Sequence, residues 1–151
     1  MKELSFHKTL EEYYSIFIKI NSLYSAFAKE KGLSYHALFV LYAIYHSEGG
    51  CSPKEICDKW LIPKQTVTSV LRIFDERGFV CYAASQQDRR TKVVLLSDEG
   101  RAYAQPMLDA LYRIEAAAFE TMGAEQVQQL VVCSRSFQEK MEEELKKHGN
   151  E

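Results

Sequence analysis

The sequence contains little glycine and proline, no long apolar run and no large excess of charge of either sign. Seven glycines and three prolines in 151 residues are too few for a loop-rich β-sandwich, and they favour a mainly helical chain of about one domain. No stretch approaches the roughly 18 apolar residues that a membrane-spanning helix needs. The first eight residues also lack the apolar run of a secretory signal. We therefore expect a cytoplasmic protein with no membrane attachment.

Sequence signatures of cofactor binding and catalysis are absent as well. No CxxC pair occurs, so the four cysteines are expected to be free thiols, although a helix start flanked by Cys51 and Cys57 leaves redox sensing open as an alternative. The histidines show no spacing typical of a metal site, and no GxSxG, HExxH or P-loop pattern is present. Neither a metal, another cofactor nor enzymatic activity is expected. The cysteines and histidines of the chain are Cys51, Cys57, Cys81, Cys133, His7, His36, His46 and His148.

Helical periodicity dominates both ends of the chain. Apolar residues from Leu10 to Phe27 recur at alternating spacings of three and four, which predicts a long helix with a heptad-like seam, ended by Gly32. Ser34 is a candidate N-cap for a second helix that continues to about His46. After Ser97, two further long helices are predicted, one to about Met122 and one from about Glu125 to Lys147.

The middle of the chain predicts a helix-turn-helix followed by a β-hairpin. The run 52–55, Ser-Pro-Lys-Glu, combines an N-cap serine with proline at the first helical position and glutamate at the third. A second helix opens at Pro63 and closes at Arg77-Gly78. Two extended stretches, 79–82 and 91–96, then flank a charged tip. This order predicts a mainly α fold, a winged helix-turn-helix with a small β-hairpin wing.

The predicted domain organisation has three segments that form one intertwined domain. Residues 34–97 form the winged helix-turn-helix lobe, and residues 1–33 and 98–151 form flanking helices. Because a chain this short cannot bury the apolar faces of these outer helices in its own core, we expect them to be dimerisation helices of a homodimer.

The helix from Pro63 to Arg77 has two distinct faces. At 100° per residue its apolar residues cluster on one side, while Gln65, Ser69 and Arg72 lie opposite, with Thr66 and Thr68 on the flanks. Arginine, glutamine and hydroxyl side chains can contact base edges or phosphates, so this face is a candidate site for double-stranded DNA.

Local charge supports a nucleic-acid interface. Residues 60–92 contain six basic and three acidic residues, a local net charge of +3 in a chain whose total is −2. Arg89 and Arg90 lie at the hairpin tip, from which they could reach a minor groove, and Lys92 follows them. We expect the neighbouring Asp88 to orient an arginine side chain by a charge-assisted hydrogen bond.

Several runs of the sequence resemble the multiple-antibiotic-resistance regulator (MarR) family. They are Ser52 to Ile56, Thr66 to Leu71, Glu76 to Val80, and Asp88-Arg89-Arg90 followed by Leu96 to Gly100. The resemblance implies a homodimeric transcription regulator, usually a repressor, that binds a pseudo-palindromic operator and is released by a small ligand or by oxidation. It implies DNA contacts from Lys64, Gln65, Thr66, Thr68, Ser69 and Arg72, with Arg90 as the wing arginine and Arg89 on a phosphate. Pro63 departs from the polar cap that is common in the family.

An effector site is less clearly marked. A small aromatic or apolar effector could bind among aromatic residues where the first, second and fifth helices meet. The candidate residues are Tyr13, Phe17, Tyr24, His36, Phe39 and Tyr112. The alternative function is a winged helix that uses the exposed helix face to bind a protein without binding DNA.

Overall fold

Six helices and one antiparallel hairpin follow one another in the computed structural model, which describes residues 2–149. The elements are α1 (Lys2–Glu30), α2 (Tyr35–Tyr45), α3 (Pro53–Trp60), α4 (Lys64–Glu76), β1 (Val80–Ala84), β2 (Lys92–Leu96), α5 (Asp98–Met122) and α6 (Ala124–His148). The prediction of a mainly helical chain with a helix-turn-helix, formed by α3 and α4, and a two-stranded wing is confirmed. None of the helices in this range combines the length and apolar character needed to cross a membrane.

Side-chain caps set the starts of α2 and α3, as the sequence predicts. The Ser34 hydroxyl oxygen accepts a hydrogen bond from the Ala37 N–H at 3.1 Å. At α3 the Ser52 hydroxyl accepts from the Glu55 N–H, and the Glu55 carboxylate accepts from the Ser52 N–H at 2.6 Å. The hydrogen bond from the Ser52 N–H favours the ionised carboxylate most strongly and the Ser52 hydroxyl adds to this, so the pKa of Glu55 lies below its usual value. The reciprocal capping box is therefore complete.

The chain forms two compact units, one up to Leu108 and one from Asp109 onward. The first unit has a continuous apolar core to which α2, α3, α4, the hairpin and the start of α5 all contribute. Its deeply buried side chains include Ala28, Leu38, Val40, Leu41, Ile44, Ile56, Ile62, Val67, Val70, Leu71, Phe74, Val80, Val93, Val94, Ala104, Met107 and Leu108. Helix α2 supplies several of them, which agrees with its apolar character on nearly every side.

The hairpin is tied to the turn between α2 and α3. Strands β1 and β2 pair antiparallel, with Tyr82 opposite Val94. On its other side Val94 pairs with Cys51, donating its N–H to the Cys51 carbonyl at 2.8 Å and accepting from the Cys51 N–H at 3.1 Å. Gly50 permits this approach, because a Cβ atom there would lie 2.8 Å from the Val94 carbonyl oxygen. The wing is therefore anchored to the helix-turn-helix by backbone pairing.

A second joint connects the wing to α5. The Ser97 hydroxyl donates to the Gly78 carbonyl at 2.6 Å and accepts from the Gly100 N–H at 3.0 Å, which caps α5. A Cβ atom on Gly100 would lie 1.9 Å from the Phe79 carbonyl oxygen, so only glycine fits there. The beginning of α5 is thus held directly against the residues that lead into β1.

The outer helices leave many apolar side chains exposed in the single chain. No residue of α6 is buried. Along α1 the exposed set comprises Phe6, Leu10, Tyr13, Tyr14, Ile16, Phe17, Ile18, Ile20 and Leu23, and along α6 it comprises Leu130, Val131, Val132, Phe137, Met141 and Leu145. Exposed apolar residues on this scale are typical of surfaces that bind another protein.

Candidate nucleic-acid interface

Helix α4 begins after an unusual turn. Leu61, which ends α3, has a left-handed backbone with φ of 49° and a side chain that is 87% exposed. Pro63 then occupies the N-cap, where its carbonyl accepts from the Val67 N–H at 3.0 Å and no side-chain cap is present. Lys64 is therefore the first helical residue, which fixes the register of every side chain that follows.

The two faces of α4 are separated as the sequence predicts. Val67, Val70, Leu71 and Phe74 are buried in the core of the lobe. The opposite side presents the six predicted contact residues, of which Thr66 is half-buried and the others are exposed: Lys64, Gln65, Thr68, Ser69 and Arg72. The fold therefore brings all six onto one accessible surface.

Hydrogen bonds within α4 already engage two of these side chains. The Thr68 hydroxyl donates to the Lys64 carbonyl oxygen at 2.9 Å, one turn earlier. Arg72 donates from Nη1 to a carboxylate oxygen of Glu76 at 3.0 Å, with both side chains more than half exposed. The ion pair was not foreseen, although the spacing of four residues between arginine and glutamate is its usual signal.

At the wing tip, Asp88 does not bind an arginine side chain as the sequence predicted. Its carboxylate accepts from the Arg90 backbone N–H at 3.0 Å and from the Thr91 hydroxyl at 3.0 Å. The Thr91 N–H in turn donates to the Asp88 carbonyl at 2.9 Å. Asp88 thus stabilises the turn through the backbone, as aspartate commonly does in tight turns, and does not orient an arginine side chain. The prediction of its partner was wrong.

The basic side chains of the wing are all exposed. Arg89, Arg90 and Lys92 border a shallow depression of about 300 Å³ that also includes Tyr82. Lys92 places its ammonium 4.6 Å from the centre of the Tyr82 ring. Burial and the nearby carboxylate of Asp75 raise the pKa of Tyr82, so its hydroxyl keeps its proton near neutral pH. The wing therefore presents cations, with an aromatic ring beneath one of them.

The predicted effector residues do not form one cluster in the first unit. Tyr24 and Phe39 are 5.7 Å apart between ring centres, and Tyr13 stacks on Phe17 at 6.3 Å along α1. His36 is exposed at the start of α2. Tyr112 lies in the second unit and is 70% exposed. The residues that sequence reasoning missed beside Phe39 are Tyr35 and Trp60, at 4.8 Å and 5.5 Å.

A cavity of about 560 Å³ lies instead between the end of α2 and α3. Its walls include Tyr42, His46, Cys51 and Trp60, with ring centres of Tyr42 and His46 4.3 Å apart. None of the six predicted effector residues lines it. Burial raises the pKa of the Cys51 thiol above its usual value, which disfavours the reactive thiolate. No sequence periodicity marks this cavity, because its walls come from two helices and a turn.

The described residues contain no candidate metal-binding site. Within 2–149 there is no group of three or more histidine, cysteine, aspartate or glutamate side chains placed to hold a metal ion. All four cysteines are free thiols, half-buried at Cys51 and Cys57 and exposed at Cys81 and Cys133.

Comparison with known proteins identifies relatives of the lobe. The sequence profile of the MarR family matches residues 31–91, which contain α2, α3, α4 and β1. The uncharacterised HTH-type transcriptional regulator YwhA of Bacillus subtilis (strain 168) is 30% identical over 88 residues. That alignment covers 58% of this chain and 63% of YwhA, so it spans less than two thirds of the relative.

Solved structures extend the similarity to nearly the whole chain. NMB1585, a MarR family regulator from Neisseria meningitidis, superimposes with a TM-score of 0.80 at 26% identity, covering 93% of this chain and 98% of that one. MepR in the S. aureus MepR-DNA complex shares the fold with a TM-score of 0.70 at 16% identity, covering 85% and 97%. The matching profile over residues 31–91, the similarity to these relatives and the winged helix-turn-helix together show that the chain is similar to MarR family regulators in the sequence of this lobe and in fold.

Proposed function

We propose that the chain is a DNA-binding transcription regulator, a ligand-responsive repressor that binds a pseudo-palindromic operator as a homodimer. The observation that carries the proposal is the presence on one lobe of two exposed surfaces, the polar face of α4 with its hydrogen-bond donors and the arginines of the wing tip. Helix α4 enters a major groove, where arginine binds guanine and glutamine binds adenine. The wing arginines enter the adjacent minor groove, where they meet a concentrated negative potential. The chain has no catalytic role in this proposal.

The contact residues divide into two groups. On α4, Arg72 and Gln65 contact base edges, and the other members, Lys64, Thr66, Thr68 and Ser69, contact bases or phosphates. On the wing, Arg90 enters the minor groove and Arg89 binds a phosphate. No described residue forms a salt bridge with either arginine, so both guanidinium groups are available to DNA.

The homodimer is supported by the exposed apolar residues of α1 and α6. Two copies that bury these residues against each other gain the hydrophobic free energy that the single chain leaves unused. The segments 1–33 and 98–151 are the dimerisation helices in this proposal. They set the separation of two α4 helices, which must match one turn of the duplex.

Release by a small aromatic or apolar effector completes the proposed mechanism. An effector dissociates the complex only if it binds more tightly to a dimer whose α4 helices no longer match the groove repeat. The aromatic residues of the first unit, Tyr13, Phe17, Tyr24, His36 and Phe39, are the proposed effector-binding residues, and the fold brings Tyr24 and Phe39 together at 5.7 Å.

The test is selection of duplexes from a random library, followed by fluorescence anisotropy over a range of salt concentrations. Arg72→Ala should weaken binding about tenfold to a hundredfold and relax base preference at one position. Arg90→Ala should weaken binding with little change in fold. Arg135→Ala removes the same charge from an exposed position on α6, outside the proposed DNA contacts, and is the matched control once sedimentation shows that it still dimerises; it should bind DNA normally.

Salt dependence separates this proposal from the alternative of a protein-binding winged helix. DNA binding releases counterions, so affinity should fall steeply with salt, and loss of a phosphate contact should reduce the slope by about one. If the protein selects no duplex at low salt, or if Arg72→Ala and Arg90→Ala bind as tightly as the parent, the proposed interface is wrong.

A further inference from the structure

Thr68 lies on a flank of the exposed face of α4, four residues from both Lys64 and Arg72, and its side chain is exposed. Residues at this spacing form one row along a helix. The Thr68 hydroxyl uses its hydrogen on the Lys64 carbonyl at 2.9 Å, inside the helix itself. This bond places Oγ1 beside the helix backbone and leaves the methyl group in another staggered position. The methyl is therefore the part of the side chain that can contact a partner without breaking an existing bond.

The chemistry of the major groove restricts what Thr68 can contact. Most acceptors there, the N7 and O6 atoms of guanine, N7 of adenine and O4 of thymine, need a donor hydrogen. Thr68 has already used its own. Ser69, the next residue, is exposed and makes no hydrogen bond among the described residues, so its hydroxyl can still donate. Thymine alone carries a methyl group in the groove, at C5, and that group suits an apolar contact.

We propose that Thr68 determines specificity by placing its methyl group against the C5-methyl of one thymine in each half-site. This assignment rests on the DNA binding proposed above. Arg72, one turn further along the same row, is exposed and donates to Glu76 at 3.0 Å, so it places a charged group near the proposed methyl contact. The row therefore combines an apolar contact with a charged one, and the two select different bases.

The experiment replaces thymine by uracil, which removes the C5-methyl and keeps base pairing. The full-length protein first selects its tightest duplex from a random library. Duplexes with uracil at each thymine of one half-site, one at a time, are then titrated by fluorescence anisotropy. The parent is compared with Thr68→Ser, which loses the methyl and keeps the hydroxyl, and with Thr68→Val, which keeps a methyl and loses the hydroxyl.

At one thymine position, uracil should weaken binding of the parent and of Thr68→Val about fourfold, the effect of one methyl group leaving an apolar contact. Thr68→Ser should bind the two duplexes equally well. All three proteins should unfold at similar temperatures, because Thr68 is exposed.

Two results would overturn the assignment while leaving DNA binding intact. In one, the parent is indifferent to uracil at every position. In the other, Thr68→Ser responds to uracil as strongly as the parent does. A protein that selects no duplex at all would overturn the proposed DNA binding and this assignment with it.

Discussion

Helices α4 and α6 each carry apolar residues at helical spacing, yet they differ completely in burial. The four apolar residues on the inner face of α4 are between 1% and 6% exposed, whereas Leu130, Phe137 and Met141 of α6 are between 40% and 46% exposed. The apolar side of α4 packs within its own chain. The apolar residues of α6 remain partly exposed in the single chain, and the proposed homodimer would bury them further. Stability of the lobe and stability of the assembly are therefore separate quantities.

The largest predicted effect comes from the same substitution made in both helices. Phe74→Ala removes a ring that is 1% exposed and should lower the free energy of unfolding by about 3–5 kcal/mol. Phe137→Ala should lower the free energy of unfolding of the single chain much less, and it should instead weaken self-association. Urea unfolding at two protein concentrations, together with sedimentation, measures both effects.

Similar effects of the two substitutions on unfolding and self-association would contradict the difference between α4 and α6. An effect of Phe74→Ala that depends strongly on protein concentration would show that the lobe is not complete in one chain. A Phe137→Ala protein that is as strongly associated as the parent would remove Phe137 from the proposed dimer surface.

A smaller loss is expected at the joint between the wing and α5. In Gly100→Ala, the new methyl group would meet the Phe79 carbonyl, and relieving the clash should cost about 2 kcal/mol. Thermal unfolding gives the size of the loss. Gly149→Ala is the matched control, because a Cβ there approaches only the Leu145 carbonyl oxygen, at 3.5 Å. Equal stability of the two variants would argue against a tight joint.

A modest gain in stability is predicted at the turn before α4. Leu61 has a left-handed backbone that is unfavourable for residues with a side chain, and its side chain is 87% exposed. Leu61→Gly should therefore raise the free energy of unfolding by about 0.5 kcal/mol, after the flexibility of glycine in the unfolded chain is subtracted. Leu61→Ala, which keeps the backbone penalty, should show no gain. A loss in Leu61→Gly would show that the exposed side chain makes a stabilising contact.

An effect of similar size concerns the capping box of α3 and depends on pH. The pKa of Glu55 lies below the usual value of 4.5 in the folded protein, because the Ser52 N–H and hydroxyl bind its ionised form. The stabilisation is therefore complete above pH 4.5 and is lost as pH falls through the lower, folded value. Glu55→Gln should be about 0.5 kcal/mol less stable than the parent at pH 7, with the difference shrinking below pH 4. Thermal unfolding from pH 3 to pH 7 measures it, and a difference independent of pH would contradict the assignment.

Local signals predicted much of the fold. Ser34, Ser52 and Pro53 marked helix starts because capping depends on residues within one turn. The 100° wheel separated the buried Val67 and Phe74 from the polar face of α4, because a packed lobe must bury one side of the helix.

Contacts between distant residues could not be predicted in this way. The pairing of Cys51 with Val94 involves one residue on one side, so it leaves no alternating pattern in the sequence. Leu61 occupies a conformation that sequence rules assign to glycine. For Asp88 the prediction placed the hydrogen bond at the right residues but on the wrong group, because sequence spacing does not distinguish the backbone N–H of Arg90 from its side chain.

The pairing of Cys51 with Val94 has a consequence for how the lobe meets a duplex. It joins the turn before α3 to β2, so the strand that leads away from the wing arginines is already held against the helix-turn-helix before any partner arrives. Once α4 occupies its groove in the proposed complex, the wing arginines are already near the next groove at a high effective concentration. Their contact then requires little further loss of orientational entropy, and a few exposed arginines can contribute more affinity than they would on a mobile loop.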